Sequence, residues 1–464
     1  MKRRDFIKAG TGAFFIASTG KAWGAGAPSN RIRLGMVGVA KTGPDGTGGF
    51  AVNPAGQRGR GYQVMSRVCE LKDAEVAAVC DVDSKALDFG ASEVTRMAGN
   101  VPKKFRDLRD MLKDPDIDGV IVATPDHWHV LAGIWTMQAG KALYLEKPIG
   151  VTAGEAEVLA QVQKTTGRVF QLGTQRRSSY ATQQGVAAIR SGEMGQPHWA
   201  KAWCLSDRPA MTGVCPAAVP TELDWNLWQG PAPRTAYRKN IVHYNWRFIR
   251  GDGTGDLPTN GLHFVDIARW ALGADWPTRV YAGGGHLFHA GEDFEFEDTQ
   301  MLNVQFADGK FLTWEGCSHT GAQPFMGKWT GCLVYCDDGL VFFGPMGEAI
   351  RFDRKGKKII KEWAAGDTDP SKQEGDNRLS NPTQMCDQCH MRRFVDCVRA
   401  KDLNTAAPIE EAIRSNLLTE LGNVSLLTGE AVQVNPATGR LANPNCAAAK
   451  YWTRTYEPGW EVKA

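Results

Sequence analysis

Residues 34–62 read LGMVGVAKTGPDGTGGFAVNPAGQRGRGY, and the fold turns on how that stretch is parsed. Leu34 to Gly38 has the composition of a buried strand running into a glycine turn. Arg58-Gly59-Arg60-Gly61 looks like the rest of that turn, opening a helix. Between the two halves lies an insert, residues 41–57, rich in Gly, Pro, Thr and Asn.

The flanking segments supply the missing context. Ile32–Val37 reads as a parallel strand, Gly61–Val68 as a helix and Ala74–Cys80 as a second strand, closed by Asp81-Val-Asp83. In such a βαβ unit the acid that ends the second strand, about 20 residues beyond the glycine loop, binds the adenine ribose of a dinucleotide. Asp81 stands 20 residues after Gly61. Its charge would repel a 2′-phosphate, so NAD is expected rather than NADP. A solvated strand-end acid is the alternative. The alternation continues through a helix at 84–98, a strand at 119–125, a helix at 129–139 and a strand at 142–148. This predicts a doubly wound parallel sheet, a Rossmann domain over residues 31–175, with its site at the carboxyl ends of the strands. Thr124-Pro-Asp-His-Trp-His129 and Glu146-Lys147-Pro148 fall at two such ends.

Bulk properties narrow the class. A chain of 464 residues exceeds one ordinary core, and 42% hydrophobic with 23% charged residues suits a soluble globular protein. The formal charge is +3, but residues 1–27 alone hold five Lys/Arg against one Asp, so the remainder is close to neutral. No basic surface for nucleic acid or anionic lipid is implied. The 15 Trp suit stacking on sugar rings or, equally, large apolar cores.

The first 27 residues, MKRRDFIKAGTGAFFIASTGKAWGAGA, resemble a twin-arginine export signal, with Arg3-Arg4 ahead of a short, weakly apolar run. That run is too short for a stable membrane span, and no other stretch is long and apolar enough. The resemblance implies a twin-arginine translocase as partner and a periplasmic or otherwise exported location. Export of a folded chain, into a space without free nicotinamide cofactor, implies a cofactor held tightly and recycled in place. Eleven cysteines cannot all pair. Cys386-Asp-Gln-Cys389-His390 is a haem-attachment pattern, but folded export and a helical setting point instead to a disulfide or thiol pair. No second CxxC stands at zinc-site spacing, so no metal is expected.

Ala123–His129 (ATPDHWH), Tyr144–Gly150 (YLEKPIG) and Gln171–Arg177 (QLGTQRR) resemble the Gfo/Idh/MocA family, the glucose–fructose oxidoreductase and inositol dehydrogenase relatives, from about Ile32 to the C-terminus. The resemblance implies a second α+β domain, residues 176–464, with an open, mostly antiparallel sheet and C-terminal helices packing back on the first domain. It places Lys147 beside nicotinamide and substrate, and makes His263, in Gly253–Trp270, the general acid/base, with Asp266 one turn on. Gly38, Gly59, Asp81, Thr124, Pro125, His127 and Glu146 would line the cofactor. Arg177, Tyr244, Trp246 and Arg247 would meet substrate, while His243 is open between a structural and a functional role. The family's second glycine position is Ala40 here, so the loop is read as an enlarged flap. The family's Asp or Asn four residues before the histidine is Thr259 here.

The implied function is an exported oxidoreductase that passes hydride between NAD and a sugar, polyol or glycoside. Two alternatives stay open. One is an NAD-dependent glycosidase or lyase that oxidises its sugar transiently; the other is a cofactor-free sugar-binding protein, favoured by the interrupted loop and Thr259. A homo-oligomer assembled through the open sheet is expected from the family.

Overall fold

The structure is a computed structural model that describes residues 31–39, 59–364 and 382–464. The segment read as an export signal, residues 1–27, and the insert at 41–57 lie outside the described residues. Residues 31–464 form one compact unit.

The first half alternates as its patterning requires. Strands β1 (Ile32–Val37), β2 (Ala74–Cys80), β3 (Lys103–Phe105), β4 (Gly119–Val122), β5 (Ala142–Leu145) and β6 (Phe170–Leu172) form a sheet in the order 3-2-1-4-5-6. Every pairing in it is parallel. Helices α1 (Arg60–Cys69), α2 (Ser84–Ala98), α3 (Leu108–Leu112), α4 (Asp126–Gln138) and α5 (Ala153–Thr166) connect the strands. Near-continuous apolar runs make the strands, because both faces are covered. β4 is buried at all four positions. The strand order reverses between β1 and β4, the crevice where open α/β sheets bind their ligands.

The second half is built on one nine-stranded sheet. Its strands are β7 (Pro197–Leu205), β10 (Pro277–Gly285), β11 (Thr299–Phe306), β12 (Phe311–Cys317), β13 (Thr330–Cys336), β14 (Gly339–Phe343), β15 (Ala349–Phe352), β16 (Ile359–Trp363) and β17 (Val432–Gln433). A two-residue ladder, β8 (Cys215–Pro216) with β9 (Arg238–Lys239), stands apart. Only the β7–β12 pairing is parallel; the others are antiparallel. Alternating burial along β11 marks a sheet with one covered face. Helices α6 (Tyr180–Arg190), α8 (Leu262–Leu272) and α10 (Ile409–Thr428) give that face its core through Ile189, Phe264, Ile267, Leu418 and Leu421. Short α7 (Trp225–Gln229) belongs to a separate aromatic cluster with Tyr237, Trp246 and Phe248. The remaining long helix, α9 (Pro382–Ala400), returns to the first sheet, where Met391, Phe394 and Val395 pack among β1 and β2 residues.

Two features fix how the crevice is framed. Gly38 has φ +82°, and a Cβ on Gly61 would fall 1.9 Å from the Gly38 carbonyl oxygen. Only glycine at 61 lets α1 start against the turn that ends β1. Arg177 and Asp266 form the second feature, a buried bidentate pair with both contacts at 2.7 Å. Ser415 on α10 donates to the same carboxylate, and Glu411 joins through Arg177 and Arg269. This network joins the turn after β6 to α8 and α10.

Both features carry predictions. Gly61→Val overpacks backbone against backbone, so it lowers the thermal midpoint and abolishes dinucleotide uptake in a titration. Gly59→Val, at an N-cap with φ −54°, costs less in both readouts. Arg177→Met strands a buried carboxylate and lowers unfolding free energy in urea by about 3–5 kcal/mol. The double variant Arg177→Met/Asp266→Leu recovers part of that loss.

Candidate active site

The crevice is assembled at the ends of β1, β2, β4 and β5. Asp81 follows β2 directly, and its two carboxylate oxygens accept from the Val39 and Asp83 backbone N–H groups at 2.9 and 3.0 Å. Burial raises its pKa. The acid thus orders the glycine turn as well as ending the strand. Helices α2, α3, α5 and α6 each carry an Asp, Thr or Ser side-chain cap. The first turn of α1 has neither a side-chain cap nor an acidic residue. That helix N-terminus, with its positive dipole end beside a turn that only glycine fills, is suited to a pyrophosphate. The residues present therefore fit a bound dinucleotide.

At the ends of β4 and β5, one histidine holds two loops. His129 is buried, with Nδ1 2.6 Å from the Pro148 carbonyl and Nε2 2.9 Å from that of Thr124. The Thr124 hydroxyl is buried without a partner, so this loop offers the crevice an unused donor. Pro125 sits at the N-cap of α4. Next along the chain, Asp126 accepts from Thr254 Oγ1 at 2.8 Å, and burial raises its pKa.

Glu146 and Lys147 follow β5. The buried Glu146 carboxylate accepts from Arg60 Nε at 2.8 Å, and the same guanidinium makes two 2.8 Å bonds to Asp387 on α9. Lys147 Nζ donates to the Thr259 carbonyl, in the turn that precedes α8. Burial, reinforced by Arg247 and Arg60, brings the Lys147 pKa down to about 8 against the pull of Glu146 and Asp126. His263 enters at the start of α8. Burial, then the charges of Arg176, Lys147 and Arg60, push its pKa well below the ordinary value, so the ring is neutral at neutral pH. No described residue hydrogen-bonds its Nδ1. A proton-bearing amine and an unengaged neutral imidazole thus share one crevice. That pairing can hold a hydroxyl and take its proton.

Lys147 and His263 are brought together as expected, with Asp81, Gly38, Thr124, Pro125 and Glu146 along the same strand ends. Four expectations need correction. Arg177 is not available to substrate, because it is buried against Asp266 and Glu411. His127 does not line the crevice: it is buried with Nδ1 facing the Asp252 carbonyl at 3.1 Å and Nε2 facing that of Trp228 at 2.9 Å. Trp246 is 6% exposed, with its indole N–H on the His243 carbonyl, and belongs to the aromatic core rather than to a sugar surface. The close approach that defines the turn is made by Gly61; Gly59 is only the α1 N-cap. Tyr244 is half-buried beside Arg247.

Other groups emerge only in three dimensions. His243 bonds Asp83, the α2 cap, at 2.9 Å, and ties the second domain to the first. Arg60, Asp126 and Arg176 are charged residues of the crevice that sequence spacing does not distinguish from surface charge. In the Cys386–His390 motif, His390 is fully buried between Leu172 O and Ser178 Oγ at 2.8 and 2.7 Å. With both nitrogens engaged it is no axial ligand, and Cys386 is a buried free thiol. Among the described residues, no group of three or more metal-ligating side chains converges, and no helix is long and apolar enough to cross a membrane.

Comparison with known proteins completes the assignment. A family model for an oxidoreductase family with an NAD-binding Rossmann fold matches residues 32–174. Its companion, for the C-terminal alpha/beta domain of that family, matches residues 183–328. A scyllo-inositol 2-dehydrogenase (NAD(+)) of Bacillus subtilis is 30% identical over 250 residues, 53% of this chain and 61% of that protein. A glycosyl hydrolase family 109 protein of Shewanella pealeana is 30% identical over 139 residues, 29% of this chain and 26% of its own length. The matched region thus spans 26% to 61% of these two curated relatives. A solved levoglucosan dehydrogenase in complex with NADH and levoglucosan superposes with a TM-score of 0.62 at 16% identity, covering 87% of this chain and 99% of its own. With both domains matched in order over more than half its length, the chain belongs to the Gfo/Idh/MocA oxidoreductase family and carries that family's NAD-binding Rossmann domain.

Proposed function

We propose that the protein is an exported oxidoreductase that transfers hydride between a tightly held NAD and a hydroxyl carbon of a sugar, polyol or glycoside. The observation that carries this reading is the pairing of the Lys147 amine, lowered to about 8, with the neutral, unengaged His263 at the carboxyl end of the parallel sheet. Bound NAD supplies the hydride acceptor. The chain does the rest. The Gly38 turn and the N-terminus of α1 hold the pyrophosphate, and Asp81 holds the adenine ribose. Lys147, cationic at neutral pH, donates a hydrogen bond to the reacting oxygen and stabilises the alkoxide as it forms. His263 accepts the hydroxyl proton. Thr259, where relatives carry an acid or amide, contributes its carbonyl to hold the lysine amine in place. The inositol and levoglucosan dehydrogenases among its relatives support the substrate class. The twin arginines at 3 and 4 support export through the folded-protein route.

A second reading rests on the glycosyl hydrolase family 109 relative. The same groups would oxidise a sugar carbon, permit cleavage of the glycosidic bond and return the hydride, with no net redox change. Products separate the two: a keto-sugar accumulates in the first case, a cleaved glycoside in the second.

The pH profile tests the roles. For alcohol oxidation, kcat/KM falls above about 8 as Lys147 loses its proton, and falls on the acid side only well below pH 6.5, as His263 becomes charged. Lys147→Met lowers kcat/KM by about 10²–10⁴-fold, and Lys147→Arg moves the alkaline limb upward. An alkaline limb unmoved in Lys147→Arg contradicts the assignment. His263→Ala removes the acid limb with a comparable loss of rate.

A further inference from the structure

Most arginines around the crevice already have a carboxylate. Arg60 is paired with Glu146 and Asp387, Arg177 with Asp266 and Glu411, Arg208 with Asp256, and Arg250 with Glu297. Arg247 and Arg176 have no carboxylate partner among the described residues, and both act on the reacting pair. Arg247 depresses the Lys147 pKa, and Arg176 is the largest charge acting on His263.

Arg247 is built to present one edge. Its guanidinium carbon lies 4.2 Å from the Tyr244 ring centroid and 4.4 Å from that of Trp246, so two aromatic rings hold it by cation–π contact. Nη1 donates to the Tyr244 carbonyl at 3.0 Å. That leaves the Nε–Nη2 edge, the side-on fork whose two parallel N–H groups match the two oxygens of a carboxylate. Neither atom is among the enclosed polar atoms of the structure, so the fork faces solvent. Arg176 stacks on Phe264 at 5.0 Å and makes a single 3.4 Å bond to the Pro345 carbonyl. Its Nε and Nη1 are buried without acceptors among the described residues, so the charge that acts on His263 is met only at longer range, by Asp387.

We infer that the substrate is a carboxylate-bearing sugar or polyol, a sugar acid, and that Arg247 binds its carboxylate while Arg176 balances the added charge. This rests on the oxidoreductase reading above. The cofactor does not account for either cation. Its pyrophosphate belongs at the Gly38 turn and α1, whereas Arg247 acts on Lys147 and Asp126 at the β4 and β5 ends. Arg176 follows β6, at the sheet edge beyond β5. The crevice therefore holds two guanidiniums without an ion-paired carboxylate among the described residues, placed toward the β4–β6 ends rather than at the Gly38 turn. A neutral sugar that displaced water from the Arg247 fork would leave its N–H groups unmatched, whereas a carboxylate satisfies the fork with charge-assisted hydrogen bonds.

The test uses the full chain, loaded with NAD, and matched pairs: glucose with glucuronate, galactose with galacturonate, and glucose 6-phosphate as a second anion. The uronates are expected to exceed their neutral partners by about 100-fold in kcat/KM, since a site built to bond a polar group discriminates strongly when it is missing. Arg247→Gln is expected to bring the acid-to-neutral ratio near one, chiefly by raising KM for the acid. Arg247→Lys, which keeps charge but loses the fork, recovers only part of the preference. Equal turnover of neutral and acidic sugars by the native chain overturns the inference while leaving the oxidoreductase reading intact. So does a loss in Arg247→Gln that falls on NAD affinity alone. A preference for the phosphate over both uronates overturns the assignment of a carboxylate. If no sugar is turned over, calorimetric titration of glucuronate into the NAD-loaded protein decides separately. Binding that Arg247→Gln abolishes upholds the anion site although the redox reading has failed, and absence of binding overturns both.

Discussion

The site depends on one half-buried ammonium. Lys147 lies at the end of β5 with no carboxylate among the described residues hydrogen-bonded to its amine; its acceptor is the Thr259 carbonyl, contributed by the second domain. A desolvated amine in that position loses affinity for its proton, and so reaches a pKa of about 8. The same contact fixes the turn from which α8 begins, and His263 is the second residue of that helix. One hydrogen bond thus ties the lysine to the turn that places His263, while burial sets the lysine's pKa. Glu146, which stands next in sequence and might have neutralised the lysine, is drawn off by Arg60.

Much of this was legible in the chain. The period of apolar runs and glycines specified the parallel sheet, because strands covered on both faces leave continuous hydrophobic runs and their helices do not. Asp81 was legible for the same reason: its place, one residue after a strand and 20 beyond a glycine, is a geometric address. The roles of Arg177, His127 and Trp246 were not. Each sits in a segment whose spacing suggests a site, but Trp246 packs into an aromatic cluster of its own neighbourhood, and Arg177 and His127 find their partners, Asp266 and the Trp228 carbonyl, far along the chain. Side-chain pairing across 80 or more residues leaves no local periodicity to read. The insert also hid which glycine matters. Gly59 and Gly61 look equivalent in the sequence, and only the approach of the Gly38 carbonyl separates them.

The histidines show how the fold spends polar groups. His127, His129 and His390 are buried and face carbonyl or hydroxyl oxygens that join loops to the sheet. Burial drives His127 to about 3 and His390 to about 4, so both remain neutral and serve as spacers rather than acid–base groups. His263 differs from these three in that no described residue hydrogen-bonds its Nδ1. That unengaged nitrogen is what recommends it for the proton-transfer role proposed above. The same contrast separates Arg247 and Arg176 from the paired arginines around them.

The central claim is that an interrupted glycine turn still cradles a dinucleotide that stays with the chain. The direct measurement is to purify the full chain without added cofactor, denature it and identify the released small molecules by mass. This account predicts NAD or NADH at close to one equivalent per chain. A chain that releases no dinucleotide, and takes up neither NAD nor NADP when they are added, contradicts it.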